Sequence, residues 1–190
     1  TGKESNQLTV RPVRFHLHDH ATVSGQQKVL RRAVAAARAR PSYVVLSSGL
    51  DDTKFPVTYS AMYFDPGAQM TQIGKQMFEA VSESLVYLGK MELEVVEATT
   101  RTTRRVALYR LCHCSLKEAV YNSARLYVHT TVVYNPELIG AGVLGRNTIE
   151  ALGLKADFST GLLTDEVGNQ IELLPESEAC ARAADRNYSG

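Results

Sequence analysis

The sequence lacks tryptophan, contains only three cysteines, and has no apolar run near the ~20 residues that a membrane-spanning helix requires. Residues 1–7 also lack the apolar stretch of a secretory signal peptide. Cys112, Cys114 and Cys180 are odd in number, and the first two are too close in sequence for an ordinary bridge, which favours reduced thiols. We therefore expect a cytoplasmic or nuclear protein with no membrane association.

The bulk composition is that of one soluble globular domain. The 190 residues are 44% hydrophobic and 22% charged, values that exclude a fibrous repeat or wholesale disorder. Residues 1–41 hold eight Lys and Arg against two Asp and Glu, whereas the remainder holds thirteen against eighteen. This asymmetry predicts a basic N-terminal arm at 1–41, a domain at 42–175 and a C-terminal tail at 176–190.

Residues 26–40 form the clearest predicted helix. They are rich in strong helix formers, with Ser24 available as a cap and Pro41 as a stop. Their apolar positions follow the helical period, which predicts that one face packs while the arginines stay in solvent. Nucleic-acid binding is possible only through this basic arm, and no aromatic residue interleaves its arginines.

Beyond residue 41 the pattern changes to short runs rich in β-branched and aromatic residues, which are typical of strands. Turn residues at 47–52 and 134–137 favour antiparallel connections. A short helix is predicted at 147–152, ended by Gly153, and a closing hairpin within 156–174. The predicted strands are 43–46, 57–64, 91–96, 106–111 and 126–134.

Two motifs carry the chemistry. A hydrophobic strand leads directly into Asp-Pro-Gly-Ala at 65–68, and Val-Leu-Gly-Arg-Asn at 143–147 opens the predicted helix. Asp-Pro-Gly by itself is a common turn. In this order, however, the two motifs resemble those of the retropepsin family, in which a strand ends in Asp-Thr/Ser-Gly-Ala, a flap hairpin follows, and an apolar-apolar-Gly-Arg/Asp-Asn segment opens the helix. The tail at 156–171 is similar to the end of retrotransposon-type proteases.

The resemblance implies a mostly β fold: a closed, retropepsin-like β-barrel lobe with one short C-terminal helix, here preceded by the helical N-terminal arm. It also implies an aspartic endopeptidase that acts on peptides or proteins with no cofactor and no metal. Because the sequence carries one Asp-x-Gly at a strand end, Asp65 of a second copy would supply the second carboxylate, which makes the expected assembly a homodimer. In this class two carboxylates share one proton and activate water.

The resemblance also assigns roles around the catalytic Asp65. Gly67 would let the loop turn tightly near the substrate, with Ala68 lining the cleft and Gln69 beside it. Arg146 would be an ion-pair residue near the dimer interface, without a catalytic role. The expected substrate-binding residues are Gly67, Ala68 and Gln69, and the expected structural or dimer residues are Pro66, Arg146 and Asn147.

Two departures from the family pattern support an alternative. The family has Thr or Ser where this sequence has Pro66, which provides neither the hydroxyl nor the backbone N–H that bind across the dimer. The flap region is also free of glycine from residue 90 to 139, and 99–105 is its best candidate tip. The alternative is a degenerate, domesticated domain that serves as a dimerisation or peptide- or protein-binding module.

Other candidate sites have weaker signals. His16, His18 and His20 would share one face of a strand, and Cys112-His113-Cys114 adds soft ligands, but the spacing fits no known zinc finger. A Cys-x-Cys in a strand would direct both thiols to one face, which favours buried packing. The glycines of 140–145 lack the setting of a nucleotide-binding loop, and nothing marks a serine or cysteine nucleophile.

Overall fold

The computed structural model describes residues 13–15, 42–50, 54–97, 99–116 and 127–185. The predicted helix at 26–40 lies outside them. The strands are β1 (Val13–Phe15), β2 (Tyr43–Ser48), β3 (Thr58–Phe64), β4 (Thr71–Ile73), β5 (Leu85–Glu97), β6 (Thr100–Leu116), β7 (Val128–Tyr134), β8 (Gly142–Leu144), β9 (Lys155–Asp157), β10 (Leu162–Thr164) and β11 (Gln170–Glu172). The helices are α1 (Lys75–Ala80), a 3₁₀ turn (Ser82–Ser84), α2 (Arg146–Ala151) and α3 (Glu176–Ala184).

The main sheet closes into a barrel. Its strand order is β1-β5-β6-β2-β3-β8-β4-β7, and an additional pairing joins β6 to β7, so the six strands from β6 to β7 form a ring. β5 extends outside this ring as the partner of β6 in a long hairpin. Two pairings, β3 with β8 and β4 with β7, are parallel, while the other pairings within the ring are antiparallel. The predicted mostly β fold with a closed barrel is confirmed.

The barrel interior is filled by apolar side chains from most of its strands. Met62, Ile73, Leu111 and Leu144 are among the fully buried residues of this core. β2 is buried on both faces, because Val44 and Leu46 face the core while Val45 packs against Leu174 and Ala179 of the C-terminal region. This double burial explains the continuous apolar run of β2 in place of an alternating pattern.

The C-terminal region adds elements that periodicity alone did not predict. β9, β10 and β11 form an antiparallel sheet of three strands, one more than the expected closing hairpin. The predicted tail contains α3, which begins after Pro175 and buries Ala179. Its sequence is rich in alanine, and Arg182 contacts Glu178 one turn earlier, both of which favour a helix.

A β-bulge in β6 changes which residues face the core. The register with β7 shifts between Leu111 and Cys114, and His113 has a left-handed φ of 56°. Leu111 and Cys114 both join the barrel core, although strict alternation would place them on opposite faces. The prediction that Cys112 and Cys114 share one face is therefore wrong, because the bulge reverses the alternation between them.

None of the helices in the described part of the chain has the length and apolar character needed to cross a bilayer.

Candidate active site

Asp65 lies at the end of two parallel strands in the barrel wall. The pairing of β3 with β8 places Phe64 opposite Leu144, and the next backbone N–H, that of Asp65, donates to the Leu144 carbonyl at 3.0 Å. The acid is thus held where both strands end and the chain turns outward. The predicted position of Asp65 at a strand end is what the structure shows.

The turn after Asp65 orients its carboxylate. The backbone N–H of Gly67 donates to Asp65 Oδ1 at 3.0 Å, and the N–H of Ala68 donates to the Asp65 carbonyl at 3.1 Å. A Cβ atom at position 67 would lie 3.1 Å from Oδ1, so a glycine lets the backbone approach the carboxylate closely. Pro66 and Gly67 are both exposed, leaving this side of the loop open to a partner or ligand.

Ala68 and Gln69 connect the loop to the start of α2. The N–H of Arg146 donates to the Ala68 carbonyl at 2.7 Å, and that of Asn147 donates to the Gln69 carbonyl at 3.3 Å. The Ala68 side chain is fully buried against Leu138 and Val143. The expectation that Ala68 lines the cleft is therefore wrong for its side chain, because the loop needs an apolar anchor inside the subunit.

Asn147 fastens the loop to the barrel through its side chain. Its Oδ1 accepts from the Thr71 N–H at 2.9 Å and from the Thr71 hydroxyl at 3.2 Å, while its Nδ2 donates to the Thr131 carbonyl at 2.7 Å. One amide thus joins the segment after Asp65, α2 and β7. These contacts all lie within the subunit, and the role expected for Asn147 as a structural or dimer residue stays a prediction.

Three buried threonine hydroxyls extend this network. Thr71 Oγ1 accepts from the Gly145 N–H at 3.0 Å and bonds the hydroxyl of Thr148, which bonds that of Thr130 at 2.8 Å. All three side chains are 5% exposed or less. Sequence reasoning missed them, because a threonine in a strand or helix carries no signal of its buried partners.

Asn147→Ala is expected to lower the free energy of unfolding by roughly 3 kcal/mol, because it leaves the buried Thr71 N–H and Thr131 carbonyl without this partner, at about 1–3 kcal/mol per buried group. Thermal or urea unfolding would measure the loss. Glu150→Ala, at an exposed position of the same helix, is the matched control and should change stability by less than about 0.5 kcal/mol. Equal stability of the two variants would show that Asn147 does not secure the loop.

Arg146 is exposed at the first position of α2 and makes no ion pair with the residues that the structure describes. The Arg146 backbone N–H already donates to the Ala68 carbonyl, so the guanidinium is the group that can still bind a partner. The role expected for Arg146 in a dimer interface stays a prediction.

The β5–β6 hairpin packs beside the Asp65 loop. Leu93, Val106 and Leu108 on its inner face form a cluster with Val133 of β7, and Met70, just after the loop, packs against it. Its strands pair as far as Glu97 and Thr100, so the hairpin turns between these two residues. The predicted tip at 99–105 is corrected accordingly, since residues 100–105 continue the ladder of β6.

Two ion pairs stabilise the hairpin. Arg101 contacts Glu94 across the strands at 3.5 Å, and Arg104 contacts Glu137 in the β7–β8 loop at 3.1 Å. Leu138, the next residue in that loop, packs against Ala68. The hairpin is therefore linked to a wall of the site, although exposed pairs of this kind contribute only ~0–1 kcal/mol each.

The possible zinc ligands are not brought together in the described part of the chain. No group of three or more His, Cys, Asp or Glu there could hold a metal, and His16, His18 and His20 lie outside it. His129 Nδ1 accepts from the His113 N–H at 3.1 Å and is thus already used. Burial, reinforced by the neighbouring Cys112, raises the pKa of the Cys114 thiol, which keeps it protonated and a poor metal ligand.

The strand connections and the loop together define a retropepsin-like fold. A closed barrel carries an acid at the end of one central strand, a hairpin follows in sequence beside it, and a helix after Gly145 supports the acid's loop. The solved retroviral protease-like domain of Ddi1 from Leishmania major is similar to this chain, with a TM-score of 0.45 and 13% identity over 74% of this chain and 96% of that one. No protein-family model matches the sequence. No curated protein matches it either.

Proposed function

We propose that this chain is one subunit of a homodimeric aspartic endopeptidase of the retropepsin type, with peptides or proteins as substrates. The observation that carries the proposal is the Asp65 carboxylate, which the Gly67 N–H orients at the end of β3 beside the β5–β6 hairpin. This places an oriented acid in an exposed loop with a strand hairpin next to it, as hydrolysis of an extended peptide requires.

The proposed chemistry needs a second carboxylate, which Asp65 of the partner subunit supplies across a two-fold axis. Two carboxylates about 3 Å apart cannot both ionise, so the pair holds one proton. The ionised group takes a proton from water, and the protonated group donates to the scissile carbonyl. As the tetrahedral intermediate collapses, the ionised carboxylate takes a proton from a gem-diol hydroxyl, the protonated carboxyl gives its proton to the leaving amine nitrogen, and the C–N bond breaks. No cofactor or metal takes part.

The β5–β6 hairpin is the proposed flap. Its base is anchored through Leu93 and Val106, while residues 100–103 near the turn are exposed. An extended peptide lying between the hairpin and the Asp65 loop would be shielded from bulk water on one side, which strengthens the electrostatic interactions of the dyad. The rigid base and exposed end suit a cover that moves at its tip.

The test combines activity and assembly. Purified protein would be incubated with a diverse peptide library and the products identified by mass spectrometry, while sedimentation measures the oligomeric state. We expect cleavage products together with a species of twice the 20.9 kDa chain mass. A single 20.9 kDa species at high concentration, with no products, would contradict the proposal.

Pro66→Thr is expected to raise cleavage and to tighten the dimer by about 10³-fold, the effect of four added hydrogen bonds across the two loops. Threonine restores one hydroxyl and one N–H per loop, and each added hydrogen bond contributes about 1 kcal/mol, where 1.4 kcal/mol corresponds to tenfold in affinity. A concentration series in the analytical ultracentrifuge would measure the dissociation constant. Pro66→Ala restores the N–H without the hydroxyl, so a threonine variant no tighter than the alanine variant would rule out a hydroxyl contact.

A second candidate function is a binding module that dimerises and holds peptides without cutting them. Pro66 favours it, because the exposed loop lacks both donors that would secure its counterpart across a dimer. The glycine-free turn between Glu97 and Thr100 favours it as well. Library peptides that are retained by the protein but recovered intact would identify this function.

A further inference from the structure

The outer edge of the proposed flap is occupied by a short strand from far away in sequence. β1 pairs in parallel with β5, with Val13, Arg14 and Phe15 opposite Leu93, Glu94 and Val95. In the described part of the chain, β1 pairs with no other strand, and residues 85–92 of β5 have no strand on that side. Among the strands that the structure describes, β1 thus covers three positions of a long β5 edge.

We propose that this edge is a strand-binding site whose occupant is the segment around Val13–Phe15 of this chain, and that its occupancy controls the mobility of the β5–β6 hairpin. The proposal concerns the hairpin alone and does not depend on cleavage. It assigns a binding function to a surface on the far side of β5 from its partner β6.

The acceptor strand is well held. Leu93 is fully buried in the cluster with Val106 and Val133, which anchors this part of β5 to the barrel. A rigid sheet edge with free N–H and C=O groups is a template for an added strand. The site is thus formed by the barrel and does not have to be organised by its occupant.

The occupant is short enough to exchange. Three paired residues in a parallel ladder supply few hydrogen bonds, and parallel pairing is slightly weaker per residue than antiparallel pairing. The paired positions of β1 and β5 are about 80 residues apart in the sequence, so closing this loop costs chain entropy. That cost rises only slowly with loop length. The free energy gained from this short ladder is comparable with the entropy cost of ordering the β1 segment. The fraction of chains in which β1 is paired can therefore be shifted.

The two strands match in chemistry. An apolar-basic-apolar run in β1 lies opposite an apolar-acidic-apolar run in β5, and the register places Arg14 opposite Glu94. Glu94 also contacts Arg101 of β6 at 3.5 Å, which ties the charged position to the other half of the hairpin. The sequence at 10–15 is Val-Arg-Pro-Val-Arg-Phe, so the alternation is confined to Val13, Arg14 and Phe15. The ligand class is an extended strand with apolar and basic residues in alternation.

Occupancy would act on the moving part of the hairpin. Positions 93–95 begin at the buried Leu93 and lie close to the turn between Glu97 and Thr100. An added strand widens the two-stranded hairpin to three strands there, and three strands are considerably more stable than an isolated pair. A filled site therefore favours an ordered flap, and an empty site a mobile one.

The test uses the full-length chain and amide hydrogen exchange read by mass spectrometry. Arg14→Pro removes a backbone donor from β1 and is poorly tolerated in a strand. We expect exchange at 93–95 and at 100–103 to rise at least tenfold in this variant, while exchange at 71–73 in the barrel stays unchanged. Exchange at 93–95 that matches the unmodified chain would overturn the proposal.

A second readout measures binding directly. A fluorescent peptide copying residues 9–18 is expected to bind the Arg14→Pro chain at least tenfold more tightly than the unmodified chain, whose edge is already filled. The same peptide with proline at position 14 is the control and should not bind. Equal affinity of the copied peptide for both chains would show that β1 does not occupy its site.

A charge exchange keeps the test decisive if Arg14→Pro does not fold. Glu94→Lys in the full chain should raise exchange at 93–95, and Arg14→Glu combined with Glu94→Lys should reverse most of that rise. A combined variant no better protected than Glu94→Lys would contradict the proposed register. Because none of these measurements uses catalysis, a failed protease assay leaves their outcome unaffected.

Discussion

Asp65→Asn is expected to reduce peptide cleavage to background, a loss of roughly 10²–10⁴-fold or more, because an amide can neither accept the proton of the attacking water nor share one with its counterpart. The replacement is almost isosteric. Its side-chain oxygen can still accept from the Gly67 N–H, as Asp65 Oδ1 does at 3.0 Å. We therefore expect unchanged folding and unchanged dimerisation. Initial rates on a cleaved library peptide, measured alongside thermal unfolding and sedimentation, would separate chemistry from assembly.

The chain offers a matched control for this substitution. Asp157 makes the same type of turn, with its Oδ1 accepting from the Ser159 N–H at 3.0 Å, but it lies at the exposed end of β9. The hydroxyl and the N–H of Ser159 lower the pKa of Asp157, so this acid is ionised at neutral pH. Asp157→Asn should leave cleavage unchanged. Persistent cleavage by Asp65→Asn would show that another group performs the chemistry.

Gly145→Val is expected to destabilise the chain by roughly 3 kcal/mol or more and to abolish both cleavage and dimer formation. A Cβ atom at position 145 would lie 2.3 Å from the Met70 carbonyl carbon and 2.6 Å from the Thr71 nitrogen. Both are backbone atoms of the segment that follows the Asp65 loop, so no side chain can rotate to make room. The segment would have to move, and it would break the Gly145 N–H contact to Thr71. Urea unfolding would measure the effect.

Gly140→Ala is the control for that prediction. Gly140 has a left-handed φ of 84°, but an added Cβ would meet nothing within 4 Å. The expected cost is the conformational penalty alone, about 1–2 kcal/mol. If Gly145→Val cost no more than Gly140→Ala, the close approach of the two segments would not determine the position of the loop.

Both expected effects depend on the contacts that support the Asp65 loop. The Asp65 loop is anchored at four kinds of contact: the parallel pairing with β8, the buried Ala68 side chain, the two helix N–H groups, and the Asn147 amide. Each belongs to a segment distant in sequence from the acid. The loop can therefore keep its shape in the single subunit, and Pro66 would act mainly on the proposed contact between two such loops.

The sequence predicted much of the fold where the local pattern was strong. The runs at 43–46 and 57–64 became β2 and β3 with nearly the expected bounds, and the helix expected at 147–152 is α2, ended by Gly153 with φ 65°. The runs at 91–96 and 106–111 were predicted too short, because β5 and β6 continue beyond the apolar core into exposed and charged residues. Hydrophobic alternation stops signalling a strand where the hairpin leaves the core.

The candidate site also contains some features that the local sequence predicted and others that it did not. Asp65 at a strand end and Gly67 in a tight turn follow from local chemistry, and the structure has both in these positions. Their roles in catalysis and substrate binding stay predictions. Ala68 was placed in the cleft, whereas the structure buries it, because the direction of a loop side chain depends on Leu138 and Val143. The Thr71, Thr148 and Thr130 hydroxyls were missed, since their contacts join β4, α2 and β7.

By itself, the sequence predicted the class of fold and a candidate acid at a strand end, because strand periodicity, turn residues and a helix stop act over a few neighbouring residues. Only the tertiary structure shows how the loop of the acid is held. It also shows that the bulge in β6 directs Cys114 into the core and that β1 pairs with part of the edge of β5. These features depend on closing long loops and on burying particular polar groups together. Their energies come from partners that no local window of sequence contains.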